Sequence, residues 1–338
     1  MKRVLWNSLI ALTLLRGQAA RGAEPLSGAG ATFPFPLYQK WISTFEKKFP
    51  GIQIAYKPIG SGAGIAELAA KRIDFAASEF PLTDRELASF PVRVRHIPTV
   101  VGGVVIIYRL DGLVQDLRLT PDTLAGIYLG KIRRWNDPRL RSINRGLPLP
   151  DREITTVHRS DSSGTTFILT SYLSQVNAEW KSAVGAGAVV PWPTGKAGEF
   201  SDGVAKQVAA TPDSIGYVEF FYALENRVSY ALLRNSAGQF VQADLTSLPA
   251  AAESLLAGMP DDLRLSLVNA PGKASYPLAS LTYLLVPEKF ENEEKAKAMA
   301  EFLRWLLDTG QKQAGALGYV ALPARITEKA VKLVGKPN

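Results

Sequence analysis

Two long runs rich in β-branched residues, Ile97 to Tyr108 and Leu278 to Val286, constrain the fold more than any other feature of the chain. Strands usually hold about 5–6 residues, so runs of this length are candidates for strands that pass from one body to another. They lie far apart in the sequence, and two such crossings make the first body discontinuous. The expected division is 24–102 plus 278–338 for one domain, with 103–277 inserted as the second. Size supports two domains, because 338 residues exceed the roughly 250–300 at which a single core stops growing.

Between the long runs, strand-like and helix-period segments alternate, which places the chain in the α/β class with mainly parallel or mixed sheets. Ile52 to Tyr56 reads as a strand. Pro36 to Phe49 reads as a helix whose Leu37, Trp41 and Phe45 share one face, and another helix begins near Gly64 and runs through Ile65, Leu68 and Ala69. A last helix, from about Glu293 to Thr309, aligns Met299, Phe302, Leu303 and Leu306 and stops at Gly310. The least regular stretch is 235–275.

The N-terminus carries Lys2 and Arg3, an apolar run from Val4 to Leu15, and small residues ending in Gly22 and Ala23. This order is that of a secretory leader, cleaved near Gly22 or Ala23. The run is shorter than the ~20 apolar residues of a membrane span. Cysteine is absent, which removes disulfides, thiolate metal sites, thiol nucleophiles and a lipid-modified N-terminal cysteine. An exported chain with neither anchor nor span is retained most simply by a second membrane, so the periplasm is the expected location. Loss of the leader takes 4 of 39 basic residues and leaves a balance of +4 against 31 acidic ones. That surplus favours an anionic ligand mildly and gives no reason to expect nucleic acid.

Three segments place small and hydroxylated residues directly before a helix-period run: Ser27 to Phe33, Gly60 to Gly64, and Asp161 to Thr166. A helix start exposes unpaired N–H groups and the positive end of the peptide dipoles, and is a seat for an anion. The plain alternative for each is a capping sequence. Arg159 stands beside the third segment, with a planar fork that holds two oxygens of a tetrahedral ion and with Asp161 placed to pair with it. The alternative is an ordinary surface ion pair.

At this point the chain resembles a known family, the periplasmic phosphate-binding proteins that feed the high-affinity phosphate ABC transporter. The resemblance rests on GAGATFP at 28–34, GSG at 60–62, YLGKIRRWND at 128–137, RSDSSGT at 159–165, IGYVE at 215–219 and Tyr276 with Pro277. It implies the two-domain hinged cleft of a type II periplasmic binding protein, a monomer without cofactor or metal that captures inorganic phosphate and hands it to ABC permease subunits. It further implies a ligand shell of Thr32, Phe33 through its N–H, Ser61, Arg159, Ser163, Gly164 and Thr165, with Asp161 orienting the arginine.

One position departs from the commonest pattern. Where the family usually carries an aspartate that accepts a hydrogen bond from protonated phosphate, this chain has Glu79. An acceptor there rewards phosphate, which retains a proton near neutral pH, and repels sulfate, which does not. The run Thr194 to Glu199 also differs from the family's glycine-rich loop.

Enzyme readings find little purchase. His96 and His158 are the sole histidines, and neither a Gly-x-Ser-x-Gly elbow nor a Gly-Lys-Ser/Thr phosphate loop occurs. The basic stretch Lys131 to Trp135 reads as a solvated helix end or docking surface rather than a nucleic-acid patch. Two other readings of the fold stay open: a different tetrahedral oxyanion such as sulfate, arsenate or a phosphonate, and a sensing or adhesion module. A phosphoester hydrolase is the less favoured alternative, since neither a metal cluster nor a base next to Ser61 or Ser163 is evident in the sequence.

Overall fold

The computed structural model describes residues 24–113 and 115–335, and the expected leader lies outside them. The chain begins with β1 (Leu26–Gly30), α1 (Phe35–Lys48), β2 (Ile54–Lys57), α2 (Ser61–Ala69), β3 (Phe75–Ser78) and α3 (Asp84–Ser89), then enters the long β4 (Val94–Arg109). There follow β5 (Arg118–Leu119), α4 (Pro121–Tyr128), α5 (Pro138–Ile143), β6 (Thr155–Arg159), α6 (Gly164–Val176) and α7 (Ala178–Ala183). Next come β7 (Lys196–Gly198), α8 (Phe200–Ala210), β8 (Ser214–Glu219), α9 (Phe220–Glu225), β9 (Ser229–Tyr230), β10 (Leu232–Arg234), β11 (Phe240–Val241) and α10 (Ser247–Glu253). The chain closes with β12 (Ala279–Pro287), α11 (Glu293–Asp308) and α12 (Ala324–Val334).

Among the described residues, nine strands join in one sheet of order β2-β1-β3-β12-β4-β8-β6-β7, with β9 also on β4, and β11-β10-β5 form a smaller sheet. β4 decides the architecture. Its first part pairs antiparallel with β12 as far as Gly103 opposite Ala279, and from Val104, opposite Glu219, it pairs with β8. The Val104 N–H donates to Leu278 O at 2.9 Å, so the two long runs lie side by side where β4 changes partner. Both are buried almost throughout, which is why they read as unbroken apolar runs rather than alternating ones.

Helices α1, α2, α11 and α12 pack on the β1–β3 and β12 side, and α6, α8 and α9 on the β6–β8 side. Leu37, Trp41 and Phe45 of α1 are buried as their spacing requires, and Trp41 Nε1 donates to Gly310 O at 2.7 Å, tying α1 to the end of α11. Helix α6 buries Thr166, Ile168, Leu169, Thr170, Tyr172 and Leu173, more than one stripe, because it is enclosed rather than amphipathic.

The irregular stretch also holds a surprise. Residues 259–265 pack against α3 and β12: Arg264 donates to Leu82 O at 2.8 Å and to Asp84 at 2.5 Å, while Tyr283 donates its hydroxyl to Leu265 O at 2.8 Å.

Candidate functional site

Five loops meet at one place, each leaving the carboxyl end of a strand: those after β1, β2, β3, β6 and β7. Strand ends at which helices begin are where open α/β sheets take their ligands. The loop from Gly30 carries Thr32 and Phe33 into α1, whose start has no side-chain cap. Gly60, at φ +89°, donates its N–H to Gly30 O at 2.9 Å and turns the chain so that Ser61 is the first residue of α2. Only glycine takes that backbone angle without strain. On the other side Ser163 caps α6, its Oγ accepting the Thr166 N–H at 3.2 Å.

Arg159, at the end of β6, is buried at 4% exposure. Its Nε and Nη2 donate to the two oxygens of Asp161 at 2.7 and 2.5 Å, a two-point grip that fixes the plane of the guanidinium. The same carboxylate accepts the Phe200 N–H at 3.1 Å, so Asp161 orients both the arginine and the start of α8. Nη1 is left for the cleft, where it donates to Thr165 Oγ1 at 3.3 Å and Ser201 Oγ at 3.1 Å.

Across the cleft stands Glu79, buried, the first residue after β3. Ser61 Oγ donates to its Oε2 at 2.8 Å and accepts the Gly164 N–H from the opposite side at 3.2 Å. Oε1 is buried and finds no protein partner among the described residues. Burial pushes the Glu79 carboxyl up to about 7, against the lowering effects of the Ser61 hydrogen bond and the Arg159 charge. A Cβ on Gly164 would come within 1.8 Å of Glu79 Oε2 and 2.8 Å of Ser61 Oγ, so this close approach needs a glycine. The site thus offers hydroxyls, helix-start N–H groups, one guanidinium and one proton-accepting oxygen. It suits a four-oxygen anion that still carries a proton.

Comparison with known proteins agrees. The family model described as PBP superfamily domain matches residues 17–332. Phosphate-binding protein PstS of Xylella fastidiosa is 43% identical over 305 residues, covering 90% of this chain and 83% of that protein. Its counterpart in Pasteurella multocida is 42% identical over 308 residues, covering 91% and 89%. The chain belongs to the PstS family of phosphate-binding proteins.

Solved structures place this PstS-family chain in the same fold. A high-affinity periplasmic phosphate-binding protein, PfluDING, bound with phosphate, aligns with a TM-score of 0.70 at 21% identity, covering 92% of this chain and 93% of that one. A phosphate-binding protein from Stenotrophomonas maltophilia gives 0.68 at 19%, covering 92% and 94%. The expected two-domain α/β binding-protein architecture is therefore the observed one.

All nine residues singled out in the sequence come together here. Thr32, Ser61, Glu79, Arg159, Ser163, Gly164 and Thr165 are buried around the cleft, and Asp161 backs the arginine. Phe33 follows Thr32 in the same loop; its side chain lies in the core and its carbonyl accepts the Tyr319 hydroxyl at 2.6 Å. Rings of Phe80 and Phe167, from opposite sides, lie 5.0 Å apart.

Sequence reasoning missed Ser201. It is fully buried and its Oγ lies 2.9 Å from Thr32 Oγ1 as well as 3.1 Å from Arg159. The signal was there in weak form: a hydroxyl with Asp202 just ahead of the Val204 and Val208 face of a helix. The altered loop from Thr194 supplies β7, and Gly198 O accepts the Ser160 N–H at 3.0 Å, holding that loop beside Arg159.

The other flagged residues are occupied elsewhere. His96 Nε2 accepts the Leu82 N–H at 3.0 Å, and its pKa is lowered to about 4 by burial and by the Arg264 charge. His158 stacks on Trp192 at 5.1 Å. In the basic stretch, Ile132 and Trp135 are buried, while Lys131 pairs with Glu179 and Arg134 with Asp151.

Proposed function

We propose that this chain binds inorganic phosphate between its two domains and delivers it to the subunits of an ABC permease, acting as a periplasmic binding protein and not as an enzyme. Thr32, the Phe33 N–H, Ser61 and Glu79 contact the ion from one domain, and Arg159, Ser163, Gly164 and Thr165 from the other. Asp161 holds the arginine in position. The domains are 24–102 plus 278–338 and 103–277, a reading supported by the change of β4 partner between Gly103 and Val104. The chain is exported by a leader cleaved near Gly22 or Ala23 and works as a monomer. Among the described residues no helix is long and apolar enough to cross a membrane.

The mechanism is capture by closure. An ion that touches both domains stabilises the shut form by the difference between its contacts there and in the open form. The observation that carries the reading is the approach of Ser61 and Glu79 to Gly164, and of Thr32 to Ser201, around Arg159 Nη1, the guanidinium nitrogen that Asp161 does not hold. Ionic charge is met by oriented N–H groups and one guanidinium. Oε1 of Glu79, which has no partner among the described residues, accepts a hydrogen bond from the protonated phosphate.

Calorimetric titration of the leaderless protein with phosphate and with sulfate near neutral pH tests this. Tight phosphate binding with much weaker sulfate binding is expected; equal affinities would assign the cleft to oxyanions in general, and turnover of a chromogenic phosphoester would make the protein a hydrolase.

A further inference from the structure

We propose that Ser201 is the latch of the closed cleft, a positioning residue that ties Arg159 of one domain to Thr32 of the other and sets the rate at which the bound anion is released. The proposal rests on the phosphate reading and adds a residue and a kinetic role to it. Ser201 is the second residue of α8, and its side chain is fully buried. A hydroxyl has one proton to give and two lone pairs. Ser201 Oγ accepts from Arg159 Nη1 at 3.1 Å, and its remaining capacity meets Thr32 Oγ1 at 2.9 Å, across the domain boundary.

Both ends of this bridge are braced. Asp161 accepts from Arg159 and from the Phe200 N–H, so the guanidinium and the start of α8 are held as one unit. On the far side Thr32 is gripped twice, because its carbonyl also accepts the Tyr222 hydroxyl of α9 at 2.8 Å. Outside the bridge lies a groove of about 590 Å3 whose walls include Phe35, Pro58, Phe200 and Phe221, with Thr32 and Ser201 themselves on its lining. Thr32 and Ser201 therefore belong both to the open groove and to the buried hydroxyl ring around Arg159. An ion leaving Arg159 by this route parts the two hydroxyls first.

The test is stopped-flow release of phosphate from the loaded leaderless protein, run on wild type, Ser201→Ala, Ser201→Thr, Thr32→Val and the Ser201→Ala/Thr32→Val pair. One hydrogen bond to a charged group corresponds to roughly a tenfold effect or more. Ser201→Ala is expected to release phosphate about tenfold faster with its association rate nearly unchanged, Ser201→Thr to restore the wild-type rate, and Ser201→Ala to add little once Thr32 is Val. An unchanged release rate in Ser201→Ala, or fully additive effects in the pair, overturns the latch while leaving phosphate binding intact. A wild-type protein that fails to bind phosphate overturns the binding reading and the latch with it. Melting curves of the ligand-free variants separate the two roles, since a merely structural residue lowers the melting temperature without changing the ratio of release to association.

Discussion

Ser61 donates its hydroxyl to Glu79 Oε2 at 2.8 Å, and the other oxygen of the same buried carboxyl has no protein partner among the described residues. The group is thus fixed from one side and open on the other, where an unmatched acceptor costs about 1–3 kcal/mol until a donor arrives. A protonated phosphate is such a donor and sulfate is not. The longer side chain, in place of the family's usual aspartate, is accommodated by the absence of a side chain at Gly164.

Glu79→Gln tests this acceptor. The amide keeps the size, removes the negative charge and presents N–H groups that a fully deprotonated anion accepts. Phosphate affinity is expected to fall by roughly 1–2 kcal/mol while sulfate affinity rises, so that competition calorimetry near neutral pH shows a narrower gap between them. A gap as wide as in wild type removes Glu79 from the selection.

The same residue links stability to pH. Its carboxyl has a folded-state pKa raised from 4.5 to about 7, so the folded protein holds a proton that the unfolded chain has already lost. Stability of the ligand-free protein is therefore undiminished by this group below about pH 4.5 and declines as pH rises through the window to about 7. The full effect is on the order of 3 kcal/mol. Denaturant unfolding at pH 5 and pH 8 is expected to show Glu79→Gln gaining on wild type at the higher pH. Parallel pH profiles for the two proteins would contradict the raised pKa. The opposite titration of His96, lowered to about 4, is common to both proteins and cancels.

Arg159→Ala removes the guanidinium of the cleft and leaves the partly buried Asp161 against α8 without its partner. Loss of a buried charge-assisted pair predicts phosphate binding weaker by at least ~2 kcal/mol in calorimetry. Asp161→Asn keeps the guanidinium but loosens its plane, and a smaller loss of about 1 kcal/mol is expected. Unchanged affinity in Arg159→Ala would remove that residue from the site.

Gly164→Ala is a steric test of closure. The new Cβ falls within 1.8 Å of Glu79 Oε2, so either Glu79 and Ser61 move or the domains stay apart. Phosphate affinity is expected to drop more than tenfold while the melting temperature of the ligand-free protein stays close to wild type, measured by calorimetry and thermal unfolding. Equal affinity would show that Glu79 does not approach Gly164.

Much of this was legible because strong patterns fixed it. The burial of β4 and β12 on both faces wrote two unbroken apolar runs into the sequence, and α1 and α11 advertise themselves by regular apolar spacing. The site loops were legible for a different reason: the close approaches around Ser61 and Gly164 demand glycine and hydroxyl residues at fixed places. What stayed hidden depends on contacts between distant segments. α2 begins at Ser61, earlier than its apolar residues suggest, because Gly60 turns the backbone before any periodic side chain appears. Ser201 follows Phe200, a non-glycine residue at φ +58°, in a stretch without a capping signal. The return of 259–265 onto α3 is made by Arg264 and Tyr283, residues with no local pattern to announce it.

A crystal structure of the leaderless protein grown with phosphate near neutral pH addresses the central claim most directly. The account predicts one ion between the domains, within hydrogen-bonding distance of Arg159 Nη1, Ser61, Thr165 and Glu79 Oε1. An ion bound by one domain alone, or a Glu79 carboxyl turned away from it, would contradict the account.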